Sequence, residues 1–259
     1  MSSSKLRFTF LGTGTSQGVP VIGCTCAVCT SDDPRDNRLR TSGMVTFQEK
    51  NIVIDTGPDF RQQMLRANVD DVAAILFTHD HNDHTAGLDD VRPLNFRHKK
   101  QMPVYATPSV QRSLMARFGY AFGENPYPGA PRLVFETISK AQNFRIEGLD
   151  IQPIEVWHGD TLPILGFRFE DITYITDCKS IQLEELEKIK GTKTLILNAL
   201  HHNEHHSHLN LKEALVMIEK IQPEQTFLTH ISHSMGKYED VQKSLPKNVA
   251  LAYDGLVIG

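Results

Sequence analysis

Val72-Ala73-Ala74-Ile75-Leu76-Phe77-Thr78-His79-Asp80-His81-Asn82-Asp83-His84 joins an unbroken apolar run to a cluster of imidazoles and carboxylates. Six apolar residues in a row without polar alternation suit a strand buried on both faces, as in the centre of a layered α/β protein. A strand over Ala73 to Thr78 is therefore predicted, with His79, His81, Asp83 and His84 in the turn just past its end, where one pocket can collect them. Imidazole and carboxylate together suit zinc or manganese.

Working outward, Lys5 to Leu11 reads as a strand ending in Gly12-Thr13-Gly14-Thr15, and Met44 to Gln48 with Asn51 to Asp55 as a hairpin-like pair. A helix over Asp59 to Ala67 leads into the apolar strand. Strands follow at Val104 to Ala106, Ile151 to Trp157, Ile164 to Phe169, Ile172 to Thr176, Thr194 to Asn198 and Thr226 to Thr229, with helices at Val110 to Phe118 and Leu183 to Lys190. The helix after Asn210 has that residue as N-cap and Glu213 as its capping partner, with Leu211, Ala214, Leu215, Ile218 and Ile221 at helical spacing. Alternation of this kind means layered α/β. No low-complexity linker divides the chain, so one domain over residues 1–259 is predicted. Arg92 to Gln101 and the proline-rich Gly119 to Arg132 read as rim loops bordering the histidine site.

The 259 residues carry 27 Lys+Arg against 31 Asp+Glu, a net charge of −4, which argues against an open polyanion-binding surface. The apolar run at Val72 to Phe77 is far short of the roughly 20 residues that cross a bilayer, and the first residues lack a secretory core. A soluble, cytoplasmic protein with no membrane partner is expected. Ten of the 12 histidines fall in three clusters, 78–84, 201–208 and 230–233. Cys24, Cys26 and Cys29 crowd into six residues, a spacing that suggests a metal and not disulfides. Cys178 reads as a buried small hydrophobe.

The His79 to His84 stretch resembles the signature of the metallo-β-lactamase superfamily, and that resemblance implies an α/β fold, the four-layer αβ/βα sandwich, with two metals at the edge between the sheets. Its further ligands match His158 in Val156-Trp157-His158-Gly159, Asp177 in Ile175-Thr176-Asp177 and His230 in Leu228-Thr229-His230. The resemblance implies one divalent metal on His79, His81 and His158, a second on Asp83, His84 and His230, and Asp177 bridging. Two such cations, zinc or manganese, can hold a hydroxide between them and clamp the oxygens of an ester or phosphodiester under attack. Asp55 matches the aspartate that supports the metal loop without ligating.

Within the superfamily, the three cysteines and His233, three residues after His230, resemble the branch of the phosphonate-pathway cyclic phosphodiesterase, which implies one structural zinc on Cys24, Cys26, Cys29 and His233. His208, two residues before the Asn210 cap, matches the histidine that acts as acid or base in phosphodiesterase branches, so His208 and Asp83 are the catalytic candidates. The resemblance implies a small cyclic ribose or nucleotide phosphodiester as substrate, with a homodimer as an option. His201, His202, His205 and His206 have no assigned role. The competing readings are a tRNA 3′-processing endoribonuclease, disfavoured because only Arg92 to Lys100 is locally basic, a thioesterase or lactonase, which leaves His208 without a role, and a non-enzymatic metal-binding protein, disfavoured because no ligand is lost.

Overall fold

The computed structural model describes residues 6–122 and 127–259. Lys5 of the first predicted strand and Pro126 of the proline-rich segment lie outside them. One sheet is built from β1 (Arg7–Gly12), β2 (Ser42–Phe47), β3 (Lys50–Ile54), β4 (Ala74–Leu76), β5 (Met102–Ala106) and β6 (Leu133–Thr137). The other is built from β7 (Phe144–Ile146), β8 (Leu149–His158), β9 (Leu162–Phe169), β10 (Ile172–Ile175), β11 (Thr194–Asn198), β12 (Gln225–Thr229) and β13 (Val249–Leu251). The chain then returns to the first sheet as β14 (Val257–Ile258), giving the orders β14-β1-β2-β3-β4-β5-β6 and β13-β12-β11-β10-β9-β8-β7. Strands β3 to β6 run parallel, as do β10 to β13.

The side chains sort by the two-residue period of a strand. Ile52 and Ile54 of β3 and Ile196 of β11 point into the layer between the sheets, where they meet Phe8, Phe10, Leu76, Phe167 and Tyr174. Their neighbours face outward: Val53 and Ile75 toward Phe60 and Met64 of α1 (Phe60–Arg66), and Leu195 and Leu197 toward a second group of helices. Both faces of the central strands are thus covered, which explains why their sequences are apolar throughout. Helices α2 (Asn82–Thr85), α3 (Arg92–His98) and α4 (Pro108–Arg117) follow α1; α3 and α4 cover the first sheet through Leu94, Val110 and Leu114. The second sheet is covered by α5 (Leu183–Ile189), α6 (Leu211–Ile221) and α7 (Tyr238–Ser244), through Ile189, Ala214, Ile218 and Val241. This is the predicted four-layer arrangement. The Asn210 cap forms as read, with the Glu213 N–H donating to Asn210 Oδ1 at 2.8 Å and the Asn210 N–H to Glu213 Oε2 at 3.0 Å.

One expectation is corrected. Arg92 to Gln101 is not a rim loop: most of it is α3, and Arg97 and Lys100 turn away from the histidines. Arg97 pairs with Asp70 at 2.9 Å and Lys100 with Asp71 at 2.6 Å. Those aspartates precede β4, whereas the histidines follow it, so the basic residues sit at the opposite end of the sheet. Gly119 to Arg132 is likewise drawn that way at its end, where Arg132 is held by Asn95. No helix of the described residues is long and apolar enough to cross a membrane.

Candidate metal centre

The carboxyl ends of β3, β4, β10, β11 and β12 and the end of β8 converge on one edge of the sandwich. Three residues there leave their strands in the left-handed conformation: Asp55 at φ 63°, Asp177 at φ 54° and His230 at φ 56°. Such backbone is disfavoured for residues other than glycine and concentrates at functional sites. The turn at Asp177 is held on both sides by Asn198 at the end of β11, which accepts the Cys178 N–H at 2.8 Å and donates to the Cys178 carbonyl at 3.0 Å. Gly57 lets the Asp55 turn lie against the metal loop, since a Cβ there would come within 2.2 Å of the Asp83 carbonyl. From outside, Arg117 of α4 pins that loop by donating to the Asp80 carbonyl at 2.9 Å, to Asn82 Oδ1 at 2.9 Å and to Thr85 Oγ1 at 2.8 Å.

All the residues expected at the centre come together. His79, His81 and His158 bring ligand atoms within 4.8 Å of one another, as do His79, His84 and Asp177, and Asp83, Asp177 and His230. Asp177 is central: its Oδ2 lies 3.3 Å from His84 Nε2, and its Oδ1 lies 3.2 Å from His230 Nε2 and 3.1 Å from His208 Nε2. Asp83 Oδ2 is 3.2 Å from His84 Nε2.

Whether metals fit can be judged from the hydrogen bonds on the far side of each ring. Thr78 Oγ1 donates to Asp55 Oδ2 at 2.8 Å and can therefore only accept from His79 Nδ1, 2.9 Å away. His84 Nδ1 donates to Asp55 Oδ2 at 2.8 Å, and His158 Nδ1 donates to the Ser207 carbonyl at 2.9 Å. Thr41 Oγ1 donates to the Gly14 carbonyl at 2.7 Å and accepts from His230 Nδ1 at 3.2 Å. Four imidazoles thus carry their proton on Nδ1 and aim a lone pair on Nε2 into the cluster, the arrangement by which second-shell partners prepare metal ligands. The Nε2 atom of His79 is buried without a hydrogen-bond partner among the described residues, which a protein does not tolerate cheaply unless something else satisfies it, and His84 Nε2 faces only the carboxylates of Asp83 and Asp177.

The charges point the same way. Burial disfavours a charge on Asp177, yet His230, His84 and His208 around it hold it ionised, well below the usual carboxylate range. Burial also opposes a proton on His84, but Asp177, Asp55 and Asp83 outweigh it and raise its pKa well above the usual value. Burial lowers His79 well below the usual value and His230 to about 3, leaving both rings neutral and free to ligate. Asp55, Asp83 and Asp177 gather around these rings and draw positive charge to the cluster, a proton on His84 or a metal in its place, and the donor set fits divalent metals.

A second cluster lies on the loop after β1. The Sγ atoms of Cys24, Cys26 and Cys29 surround His233 Nδ1 at 3.3, 3.4 and 3.5 Å. The backbone N–H of Cys29, then His233, lowers the Cys26 thiol to about 6, whereas burial raises Cys29 to about 11. Three sulfurs and one imidazole around a point make a closed tetrahedral set suited to zinc. His233 opens a short helical turn three residues after His230, so one strand end serves both clusters. Cys178 takes no part; it is buried in the core and its thiol is raised by burial.

His208 reaches the centre as predicted, with its ring 4.7 Å from that of His158 and 4.9 Å from that of His230. Asp83 lies inside the ligand set. Sequence reading missed three groups that orient the candidate ligands: Thr41, Thr78 and Ser207. Only Thr78, adjacent to the motif, and Ser207, adjacent to His208, carried any signal of position.

Residues 50–231 match the model of the beta-lactamase superfamily domain. The chain is 40% identical over 253 residues to an octanoyltransferase of Porphyromonas gingivalis, an overlap covering 97% of this chain and 51% of that protein. The chain spans about half the length of the curated relatives it matches. Among solved structures, a diphosphatase from the PhnP family is similar at 39% identity, with 98% of each chain covered and a TM-score of 0.92. Zinc-bound PqqB from Methylobacterium extorquens shares the fold at 19% identity, with 98% of this chain and 99% of that one covered and a TM-score of 0.81.

Proposed function

We propose, from the fact that this chain belongs to the beta-lactamase superfamily and within it to the PhnP family, that this metal-dependent hydrolase cleaves a small phosphodiester, a five-membered cyclic phosphate of ribose or a nucleotide foremost. The observation that carries the reading is His208, whose Nε2 lies 3.1 Å from Asp177 Oδ1 at the rim of a buried ligand cluster. In this reading His79, His81 and His158 hold one divalent metal, Asp83, His84 and His230 another, Asp177 serves both, and Cys24, Cys26, Cys29 and His233 hold a structural zinc.

Two divalent cations held by these residues would supply a water nucleophile at neutral pH and neutralise charge on the phosphoryl oxygens. The chain's own residues do the rest. Asp177 orients His208 by accepting from Nε2, while the stacked ring of His230 and the edge-on ring of His158 fix its plane. When the phosphorus–oxygen bond breaks, the leaving alkoxide is strongly basic, and His208 Nε2 is placed to protonate it. A positioned imidazole acting this way contributes about 10²–10⁴-fold.

Arg97 and Lys100 are paired with aspartates at the far end of the sheet, which supports a small substrate over folded RNA. Octanoyl transfer is not carried over from the Porphyromonas gingivalis relative. Acyl transfer through the protein needs a nucleophile able to carry the acyl group, and Cys178, the one cysteine beside Asp177, is buried with its thiol raised. The diphosphatase neighbour favours a second reading, hydrolysis of a phosphoanhydride, whose leaving group is less basic.

The test is a zinc- or manganese-loaded enzyme assayed on a ribose cyclic phosphate, a p-nitrophenyl diester, a dinucleotide diphosphate and a thioester. His208→Ala should lower kcat on the cyclic phosphate by about 10²–10⁴-fold at unchanged metal content, with a smaller loss on the p-nitrophenyl diester. Turnover confined to the diphosphate would establish the second reading. Equal losses on the cyclic and aryl diesters would rule out His208 as the acid.

A further inference from the structure

His201, His202, His205 and His206, on the loop between β11 and α6, take no part in the centre, yet three of them stand in a file with it. In the group of His79, His81 and His158 the ring centres lie 4.6, 5.1 and 5.6 Å apart. Such a spacing lets imidazoles share one ion, since each ligating nitrogen lies about 2 Å from the metal. The same spacing continues outward. His158 and His208 are 4.7 Å apart, His208 and His205 5.0 Å, His205 and His206 4.5 Å, and His205 and His201 5.9 Å. His158, His208, His205 and His201 are half-buried and His206 is exposed, so the file runs from the centre to solvent.

The file tightens inward. At its inner end His158, Asp177 and His208 bring ligand atoms within 4.8 Å of one another, a set able to hold a cation that has not yet reached its final ligands. From there the next ring is that of His230, 4.9 Å from His208, and Asp177 Oδ1 lies 3.1 Å from His208 Nε2. One step outward, His205 Nδ1 lies 3.2 Å from His208 Nδ1. The outermost rings, His201 and His206, flank His205 more openly, as suits a loose site for a partly hydrated ion. His84, Asp177 and His230 are buried, and stripping a divalent ion of its water in a single step is costly. A file of imidazoles replaces that water one ligand at a time.

We propose that His201, His205 and His206 form an outer site for a divalent transition-metal ion, from which the ion passes by His208 into the metal centre. The passage rests on the binuclear reading of that centre; the outer site does not. Imidazole is a ligand for zinc and its first-row neighbours, which sets the class of ion. The outer site is weaker than the centre because it offers spread rings and no buried carboxylate, and a loading site has to release its ion inward. His208 takes part in the passage only while the centre is unfilled, which leaves it free for substrate afterwards.

Cobalt(II) is the probe. Zinc-loaded protein should bind one further cobalt ion, lost again on gel filtration, with paramagnetic shifts at the rings of His201, His205 and His206. In chelator-stripped protein a fluorescent indicator follows total cobalt uptake, and the thiolate charge-transfer band follows the cysteine site alone. The triple variant His201→Gln, His205→Gln, His206→Gln should lose the further ion. At micromolar cobalt it should fill the centre at least about tenfold more slowly, because an ion docked on the loop presents an effective concentration of about millimolar. Its final metal content and its uptake at the cysteine site should equal wild type, which shows that it folds. His202→Gln removes an exposed imidazole of the same loop outside the file and should behave as wild type. Absence of the further ion in wild type, a triple variant that fills within twofold of the wild-type rate, or an equal slowing in His202→Gln would overturn the proposal. A wild-type centre that takes up no cobalt would instead fail the binuclear reading, and the shifts at the three loop rings distinguish that from failure of the outer site.

Discussion

Asp55 is the residue whose replacement interrogates the centre most cleanly, because it reaches two of the proposed metal ligands, His84 directly and His79 through Thr78, without being one. Its carboxylate accepts from the Thr78 N–H at 2.9 Å, from Thr78 Oγ1 at 2.8 Å and from His84 Nδ1 at 2.8 Å. Burial raises its pKa, while His84 and Thr78 act to keep it ionised. Asp55→Asn keeps the shape, and asparagine tolerates the left-handed backbone at φ 63°. An amide, however, has one accepting oxygen. If that oxygen stays on the Thr78 N–H, the NH₂ group faces His84 Nδ1 and Thr78 Oγ1. His84 can then bond only by accepting at Nδ1, which moves its proton to Nε2, where a metal needs the lone pair. If the amide flips, its NH₂ meets the Thr78 N–H and a buried donor is stranded. Either arrangement leaves a defect of about 1–3 kcal/mol. Losing a second-shell partner typically costs about 10–100-fold in metal affinity, equivalent to about 1.4–2.7 kcal/mol. Competition for zinc against a chromogenic chelator should show that loss, while the circular dichroism spectrum stays native. Zinc affinity equal to wild type would refute the argument that Asp55 sets the His84 tautomer.

Carefully prepared protein should approach three metal equivalents per chain by elemental analysis; a ceiling of two after reconstitution would remove either the cysteine site or the binuclear assignment. Cys26→Ser should lower the melting temperature and the zinc content while the remaining folded protein keeps activity, since a closed site contributes to folding; clean loss of activity in fully stable protein would contradict a structural role. Gly57→Ala should destabilise by more than a typical surface change and weaken metal binding, because its Cβ would sit 2.2 Å from the Asp83 carbonyl; a melting temperature and metal content equal to wild type would show that the two loops are not in close register.

The candidate ligands His79 to His84 were legible in the sequence because local constraints place them, whereas His158, Asp177 and His230 came from the family resemblance. A strand covered on both faces must be apolar, so Val72 to Phe77 announced itself, and the turn that follows must carry the ligands close together, as His79 to His84 do. The α6 cap was equally plain, since Asn210 and Glu213 meet across a single turn. The Arg92 to Gln101 segment misled because a run of cations resembles a solvated loop, whereas its partners, Asp70 and Asp71, lie on another element. Strands β6, β7, β13 and β14 also escaped notice; they are short, lie at or beside sheet edges, and β6 is largely exposed, so no hydrophobic period marks it. What only the tertiary structure decided is the protonation of the rings. Thr41 orients His230 across 189 residues, and Ser207 orients His158 across 49. A hydroxyl or a carbonyl that accepts one hydrogen bond leaves no pattern along the chain, because its effect depends on distance and direction in space and not on its neighbours in sequence. Sequence therefore determined which atoms can bind metal, and folding determined which nitrogen of each ring is free to do so.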